Sequence, residues 1–367
     1  MVMALPTVSR AIAVFPDQPG AVHRTEVPVP ELGQSDVLVK VVRVGVCGTD
    51  REIIHGDLGS APAGSRELVI GHEVLGRVLA TGEEISDLRQ GELVTASVRR
   101  PDGCPACQAG QPDMCLWGEY EERGIQGLNG FMTEYFVEHR DYIIPLPAAL
   151  EHVGVLVEPL TVVEKAVRQV DLIQRRMGYW QPSTAVVLGA GPIGILGTLL
   201  LRSRGIEVTT VARSPKPNPA AAVVEGAAAT YVSSREEPLD ALARRLGNID
   251  VMLESTGSSD VAFECMEHLG KNGVLVLLSV TGHGTTTPID TGLINTGMVA
   301  GNKTVVGSVN SALEDFQNAV AHLGRFEELW PGLLDRMFTE RVPFDGDIDS
   351  IVSRTEASIK TVIELES

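Results

Sequence analysis

A chain of 367 residues is too long for one ordinary hydrophobic core, so we expect two domains. Its 30 basic and 48 acidic residues give a formal net charge of −18, which argues against a nucleic-acid partner because phosphates attract the opposite sign. No apolar stretch is long enough to span a bilayer and the N-terminus has no secretory-signal pattern, so we expect no membrane partner and predict a cytoplasmic protein.

The first part of the chain has the pattern of a β domain. DVLVKVVRVGV and ELVTASV are rich in valine and bounded by glycine, proline or charged residues, which is typical of strands. From Val163 to Ile173 the pattern becomes helical.

Strand and helix patterns alternate between about Thr184 and Val306. In chain order the segments are TAVVLG, PIGILGTLLLRSRG, IEVTTVA, AAAVVEGA, IDVMLEST, DVAFECMEHL, VLVLLSV and KTVVGSV. This alternation predicts an α/β fold with a parallel, doubly wound sheet. The tail, from DFQNAVAHL to IKTVIEL, is predicted to pack on the first domain. We therefore predict a catalytic domain at residues 1–161 and 306–367 and a dinucleotide-binding domain at 162–305.

A glycine turn joins the first strand and helix of this alternating region. Gly189-Ala190-Gly191-Pro192-Ile193-Gly194 fits the pattern G-x-G-x-x-G, with an apolar strand before it and an apolar helix after it. The first glycine permits the tight turn, the second lets backbone approach a pyrophosphate, and the third lets the helix pack on the strand. The sequence therefore predicts a Rossmann-type cofactor site formed by Gly189, Gly191, Pro192, Ile193 and Gly194.

The second strand of this region indicates which dinucleotide binds. NAD usually needs an acid at the end of that strand to hold the ribose 2′-hydroxyl. Here VTTVA is followed by Arg213, Ser214 and Lys216, while Glu207 lies at the opposite end. Because a guanidinium can bind a 2′-phosphate through two hydrogen bonds, we predict that NADP is preferred and NAD possible.

Candidate ligands for a catalytic zinc precede the glycine turn. Cys47 offers a thiolate, His72 an imidazole, and Glu73 and Glu158 offer carboxylates. A catalytic zinc needs about three protein ligands and one open position, where an alcohol loses its proton near neutral pH. Together with the dinucleotide turn, this set predicts oxidation of an alcohol by hydride transfer.

Three more cysteines lie within twelve residues of one another, at Cys104, Cys107 and Cys115. A structural zinc needs four ligands, and either Asp102 or Asp113 could supply the fourth. The alternative is a loop of three free thiols that has lost its metal. The fifth cysteine, Cys265, lies in a helical pattern and is predicted to be packed core.

These motifs, in this order, resemble the zinc-dependent medium-chain dehydrogenase/reductase superfamily over nearly the whole chain. The superfamily's cysteine lobe has four cysteines, and the first falls on Pro101 here. Within the superfamily the chain looks most like the glucose dehydrogenases of archaea. The matching segments are CGTDREI, VRRP, ERGIQGLNGFM, LVEPLTVVEKA and NKTVVGSVNS.

The resemblance implies a GroES-like, mostly-β catalytic domain and a Rossmann domain. It implies that Cys47 and His72 bind zinc, with Glu73 and Glu158 as ligands or near-ligands. It also implies an aldose 1-dehydrogenase, with glucose the favoured sugar, that makes a lactone and reduces NADP.

The resemblance extends to the substrate and cofactor contacts. Thr49 is expected to hydrogen-bond the reacting hydroxyl and to pass its proton toward solvent, and Glu158 lies at the same substrate. Glu122 and Asn310 are expected to bind other sugar hydroxyls, and Ser308 to contact the cofactor. For Glu122 the alternative is a surface carboxylate paired with Arg123, and for Asn310 it is a turn residue.

Two other functions stay open at this point. The substrate could be another polyol, such as a cyclitol or an amino-sugar intermediate. A redox sensor that binds nucleotide without catalysis is the second alternative, although the set of candidate zinc residues argues against it. Relatives form homodimers or homotetramers, often through edge strands, and VLVLLSV is the candidate edge.

Overall fold

The computed structural model describes residues 5–20, 22–281, 286–348 and 357–366. The chain forms two compact units. The first unit comprises Met1–Glu158, Ala312–Leu323 and Phe338–Ser367, and the second comprises Pro159–Ser311 and Gly324–Met337. The domain boundaries expected from the sequence stay a prediction.

The first unit is built mainly from short strands. They are β1 (Val8–Val14), β2 (His23–Pro28), β3 (Asp36–Val46), β4 (Leu68–Val69), β5 (Glu73–Thr81), β6 (Leu93–Ala96), β7 (Arg99–Arg100), β8 (Glu121–Arg123), β9 (Gly127–Leu128), β10 (Tyr135–His139) and β11 (Ile143–Leu146). Its helices are α1 (Gly48–His55) and α2 (Pro105–Gln108), with single 3₁₀ turns at Pro112–Met114, Arg140–Tyr142, Ala148–Leu150 and Gly154–Leu156.

Strands and helices alternate in the middle of the chain. They are α3 (Val157–Gln174), β12 (Thr184–Leu188), α4 (Pro192–Ser203), β13 (Glu207–Ala212), α5 (Pro219–Gly226), β14 (Thr230–Ser233), α6 (Leu239–Leu246), β15 (Val251–Glu254), α7 (Ser259–His268), β16 (Val274–Leu277), α8 (Thr291–Gly301) and β17 (Thr304–Gly307). The tail adds α9 (Leu313–Leu329), a 3₁₀ turn at Leu334–Met337, β18 (Phe338–Pro343) and β19 (Lys360–Glu364).

The main sheet of the first unit has the strand order β11-β6-β5-β3-β19-β18, and β10 also pairs with β3. The valine-rich segment that was predicted to be a strand forms β3, and its apolar side chains are almost fully buried. The C-terminal β19 pairs antiparallel with β3, so the prediction that the tail packs on the first domain is confirmed for this strand, whereas Gly324–Met337 belongs to the second unit. Burial of apolar side chains in this sheet is the main source of its stability.

The sheet of the second unit is parallel, with the order β14-β13-β12-β15-β16-β17 in the described residues. This is the predicted doubly wound arrangement, in which the strand order reverses between β12 and β15. Three elements, β14, α6 and α8, were not predicted from the sequence. Its assignment of VLVLLSV as an edge is wrong, because β17 pairs on the outer side of β16.

Cys265 is packed core, as predicted. It is fully buried in the apolar cluster of the second unit, and this burial raises the pKa of its thiol. Among the helices of the described ranges, none combines the length and the apolar character needed to cross a membrane.

The close packing of the glycine turn generates a stability prediction. A Cβ atom on Gly194 would lie 2.8 Å from the carbonyl carbon of Gly189 and still closer to its oxygen. We expect Gly194→Ala to lower the free energy of unfolding by about 1–3 kcal/mol, because backbone must move. A Cβ on Gly324, in α9, meets nothing within 4 Å, so Gly324→Ala should raise stability by up to about 1 kcal/mol.

Thermal and denaturant unfolding of the two variants test this prediction. Equal stability of wild type and Gly194→Ala, in an experiment where Gly324→Ala is also neutral or worse, contradicts it.

Candidate active site

A cysteine and a histidine meet at the start of α1. Cys47 follows β3 and is the N-cap of the helix, where the backbone N–H of Thr49 donates to its sulfur at 3.2 Å. The same sulfur lies 3.1 Å from Nε2 of His72. A helix N-terminus favours negative charge, so this position suits a thiolate. Burial raises the pKa of Cys47, although His72 opposes that effect.

Asp50 holds this pair in place. Its carboxylate accepts from the backbone N–H of Cys47 at 2.9 Å and from that of Gly71 at 3.2 Å. One oxygen lies 3.5 Å from Nδ1 of His72, and the side chain is completely buried. A carboxylate on one ring nitrogen fixes the orientation in which the other nitrogen meets a metal. The sequence analysis missed Asp50, although an acid three residues after an N-cap is a capping-box signal.

Glu73 is held by a cation from the C-terminal strand. Its carboxylate forms an ion pair with the ammonium group of Lys360, and the two side chains are 2% and 0% exposed. The same ammonium donates to the carbonyl of Val46 at 3.1 Å. Gly45 leaves the room for this pair, because a Cβ there would lie 2.9 Å from Cε of Lys360. Lys360 was missed because no local pattern connects it with Glu73.

Glu158, in the first turn of α3, completes the cluster. One of its carboxylate oxygens lies within 4.8 Å of donor atoms of both His72 and Glu73. Burial raises the pKa of Glu158 to about 7, with Glu73 adding to the rise and His72 opposing it. Burial alone would lower the pKa of His72, but Cys47 and Asp50 hold it well above its usual value.

These side chains fit a zinc ion. Donor atoms of Cys47, Asp50 and His72 lie within 4.8 Å of one another, as do those of His72, Glu73 and Glu158. One sulfur, one imidazole nitrogen and carboxylate oxygens form a donor set that zinc prefers. The structure thus brings together the four predicted ligands, and Thr49 stands half-buried at the same helix start.

The cysteine lobe forms a second group of donors. Asp102, Cys104, Cys107 and Cys115 have donor atoms within 4.8 Å of one another, and Asp113 is not part of this group in the described residues. Thiols of Cys107 and Cys115 donate to Asp102 at 3.3 and 2.9 Å. Hydrogen bonds from Cys115 and from backbone hold the pKa of Asp102 far below its usual value. Three sulfurs and one carboxylate oxygen supply the four donors that a structural zinc needs.

Glu122 is not the exposed partner of Arg123 that was weighed as an alternative. It is 8% exposed and pairs with Arg99, whereas Arg123 pairs with Glu138 at 2.9 Å. Asn310 lies in the second unit with a left-handed backbone, at φ 59°, and accepts from the N–H of Ser311 at 2.7 Å.

The glycine turn of the second unit has the geometry of a phosphate site. Gly189 has φ 104°, a conformation that favours glycine, and Gly191 is the N-cap of α4. Pro192 and Ile193 open the helix, whose free N–H groups favour an anion. The strand β13 ends at Ala212, so Arg213 replaces the acid that NAD needs.

The residues after β13 differ in their contacts. Arg213 is exposed and has no ion pair within the described ranges. Lys216 pairs with Glu225 at 2.7 Å, and the backbone carbonyl of Ser214 accepts from the Tyr231 hydroxyl at 2.8 Å. At the end of β17, the hydroxyl of Ser308 accepts from Gln169 at 2.9 Å.

A buried acid that the sequence analysis missed stands at the end of β15. Glu254 is 1% exposed and accepts from the N–H and hydroxyl of Thr256 and from the hydroxyl of Ser279. These donors compensate its burial. Glu254 thus joins β15 to the loop after β16 at the carboxyl edge of the sheet.

Comparisons with known proteins agree with both units. Residues 33–148 match the alcohol dehydrogenase GroES-like domain, and residues 151–365 match the glucose dehydrogenase C-terminus. The chain is 40% identical to a glucose 1-dehydrogenase of Methanocella arvoryzae, over 97% of this chain and 99% of that protein. It is 38% identical to a glucose 1-dehydrogenase of Thermoproteus tenax, over 98% and 100% of the two chains.

Among solved structures, the chain resembles the glucose dehydrogenase of Haloferax mediterranei in complex with NADP, Zn and gluconolactone. The TM-score is 0.89 at 33% identity, covering 98% of this chain and 99% of that one. The resemblance predicted from the motifs is therefore confirmed. The chain belongs to the glucose dehydrogenase family of zinc-dependent medium-chain dehydrogenases.

Proposed function

We propose that this protein is a zinc-dependent glucose 1-dehydrogenase that prefers NADP and converts the sugar to its lactone. The observation that carries the proposal is the contact of Cys47 with His72, beside Glu158, in a chain that also contains a dinucleotide turn. The glucose 1-dehydrogenases to which it is similar, and a neighbour whose structure holds NADP, Zn and gluconolactone, support the same substrate and cofactors.

We assign Cys47, His72 and Glu158 as the zinc ligands. Asp50 is engaged by backbone N–H groups and His72, and Glu73 by Lys360, so these two acids are better placed to hold the ligands than to bind metal. A zinc ion held by these residues would favour loss of the proton from a sugar hydroxyl, and a bound NADP would accept the hydride from the carbon that carries that hydroxyl.

The chain's own residues would position the sugar. Thr49, at the start of α1, would hydrogen-bond the reacting hydroxyl and pass its proton toward solvent. Glu158, assigned above as a zinc ligand, would be ionised when the metal is bound and would contact the same substrate. Glu122 and Asn310 would bind other hydroxyls, because a polyol needs several anchors if one carbon alone is to face the nicotinamide.

NADP would bind along the glycine turn. The residues that would hold its pyrophosphate are Gly189, Gly191, Pro192, Ile193 and Gly194. The 2′-phosphate is assigned to Arg213, with help from Ser214 and Lys216, and Ser308 is assigned to the cofactor as well. Arg213 makes the largest contribution because it is exposed, while Lys216 already pairs with Glu225.

We also assign the protein to the cytoplasm and to a homodimer or homotetramer. All five cysteines are free, which fits a reducing compartment. Exposed apolar side chains of the second unit, such as Val280 and Val299 at 84% and 74% exposure, favour a protein contact there.

A substrate screen tests the proposed function. We expect stoichiometric zinc, a rise in absorbance at 340 nm on adding glucose and NADP, and loss of activity with a chelator. Cys47→Ser should abolish turnover and leave NADP binding intact, because the thiolate is lost and the glycine turn is untouched. Cys265→Ala, a buried cysteine far in sequence from these donors, is the control that keeps activity.

The alternative functions predict different results in this screen. Oxidation of a cyclitol or amino sugar in place of glucose contradicts the assigned substrate but agrees with the zinc mechanism. NADP binding without oxidation of any sugar or alcohol favours the redox sensor, and unchanged turnover by Cys47→Ser contradicts the role of the metal.

Cofactor choice provides a second prediction. Arg213→Asp should raise the Michaelis constant for NADP by about 10- to 100-fold, since charge-assisted hydrogen bonds contribute about 1.5–3 kcal/mol, and should change that for NAD far less. Lys271→Asp makes the same change of charge just before β16, at the opposite end of the sheet, and should spare both constants. An equal effect of Arg213→Asp on NADP and NAD contradicts the assignment.

Zinc content tests the cysteine lobe. We expect two zinc ions per chain in the wild type and one in Asp102→Ala, because the fourth donor of the lobe is removed. The control is Asp113→Ala, which should retain both ions. Metal analysis that finds the loss in Asp113→Ala, or in neither variant, contradicts Asp102 as a ligand.

A further inference from the structure

Arg99 and Glu122 form a buried ion pair between two short strands. The residues stand opposite each other in the pairing of β7 with β8. Nε and Nη2 of Arg99 both contact Oε1 of Glu122 at 3.0 Å. The two side chains are 5% and 10% exposed, so most of the pair is removed from water. A buried carboxylate that lost such a partner would be strongly destabilised in its position.

The remaining contacts of Arg99 lead to the cysteine lobe. Nη1 donates to the carbonyl of Pro112 at 3.2 Å, in the 3₁₀ turn that separates Cys107 from Cys115. The guanidinium also lies over the ring of Tyr120, with Cζ 3.6 Å from the ring centroid. The side chain therefore cannot turn away from Glu122 without breaking its contacts with the lobe.

Glu122 is close in the chain to Gly124, which packs against the corner that carries His72. Gly124, two residues after Glu122, packs backbone to backbone against Gly71, where an added Cβ would lie 2.8 Å from the carbonyl carbon. Gly71 directly precedes His72, and its N–H donates to Asp50. The end of the strand that carries Glu122 thus packs against the peptide of Gly71, which precedes the candidate zinc ligand His72.

We propose that Arg99 is a positioning residue that holds the Glu122 carboxylate for a sugar hydroxyl and couples it to the cysteine lobe. The inference rests on the proposed function. An ordered lobe keeps Pro112 in place, Pro112 and Tyr120 keep the guanidinium in place, and the guanidinium orients the acid. Disorder in the lobe would weaken sugar binding without touching the sugar.

The neighbouring Arg100 is a matched control. It is on the same strand and has a side chain that is 11% exposed. It forms an ion pair with Glu138 and lies over Tyr142 at 3.9 Å, so it makes the same kinds of contact with other partners. Removing either arginine costs a buried ion pair and a ring contact, but only Arg99 contacts Glu122.

Steady-state kinetics of Arg99→Met, Arg99→Lys and Arg100→Met test the proposal. We expect Arg99→Met to raise KM for glucose at least about tenfold, and to leave KM for NADP within about twofold. Arg99→Lys should raise KM for glucose less than Arg99→Met does, since lysine keeps the charge but not the planar group. Arg100→Met should also lose thermal stability, although Glu138 keeps its ion pair with Arg123, and should keep KM for glucose within about twofold.

Monodeoxyglucoses give a readout that general destabilisation would not change. In the wild type, the sugar that lacks the hydroxyl bound by Glu122 should show a large KM penalty. In Arg99→Met this penalty should shrink to less than about threefold, because the acid is no longer oriented. Asp102→Ala alone should raise KM for glucose. The same substitution introduced into Arg99→Met should cause little further increase in KM.

Two results overturn the inference while the proposed function stands. One is an equal KM effect of Arg99→Met and Arg100→Met, and the other is a deoxy-sugar penalty that survives in Arg99→Met. Additive effects of Asp102→Ala and Arg99→Met overturn the coupling to the lobe. Failure of the proposed function is seen separately, as a wild type that does not oxidise glucose.

Discussion

The register of β3 against β5 determines where the candidate zinc ligands come together. Gly45 pairs with Glu73 in this antiparallel ladder, so the residues just beyond the paired ends, Cys47 and His72, meet at the same corner. A slip of one residue would move each side chain to the other face of the sheet. On the other side of β3, the register of β19, with Thr361 opposite Val46, places Lys360 against Glu73.

Several charged side chains in this part of the first unit are buried, and most of those described have a compensating partner from another part of the chain. Lys360 compensates Glu73, Arg99 compensates Glu122, and backbone N–H groups compensate Asp50. Buried ion pairs often contribute little net stability, but breaking one is costly. Their more important effect here is geometric, since each pair leaves a side chain near the cluster in a single orientation.

Features encoded within a few residues were predictable from the sequence. The glycine turn, the doubly wound sheet and the candidate donors each depend on short spacings or on alternation along the chain. Asp50 was within reach as well, because the capping-box spacing to Cys47 is local. Three other features could not be predicted, because they depend on which strands become neighbours. They are the ion pair of Lys360 with Glu73, the ion pair of Arg99 with Glu122, and the inner position of β16 in its sheet. The choice of Asp102 over Asp113 likewise required the path of the loop, because both acids flank the cysteines.

The central claim is that Cys47 and His72 bind one metal ion, and anomalous diffraction from crystals of the protein grown with zinc tests it most directly. The account predicts a zinc peak about 2.3 Å from the sulfur of Cys47 and about 2.0 Å from Nε2 of His72. A map with zinc in the cysteine lobe but no peak between Cys47 and His72 would contradict it.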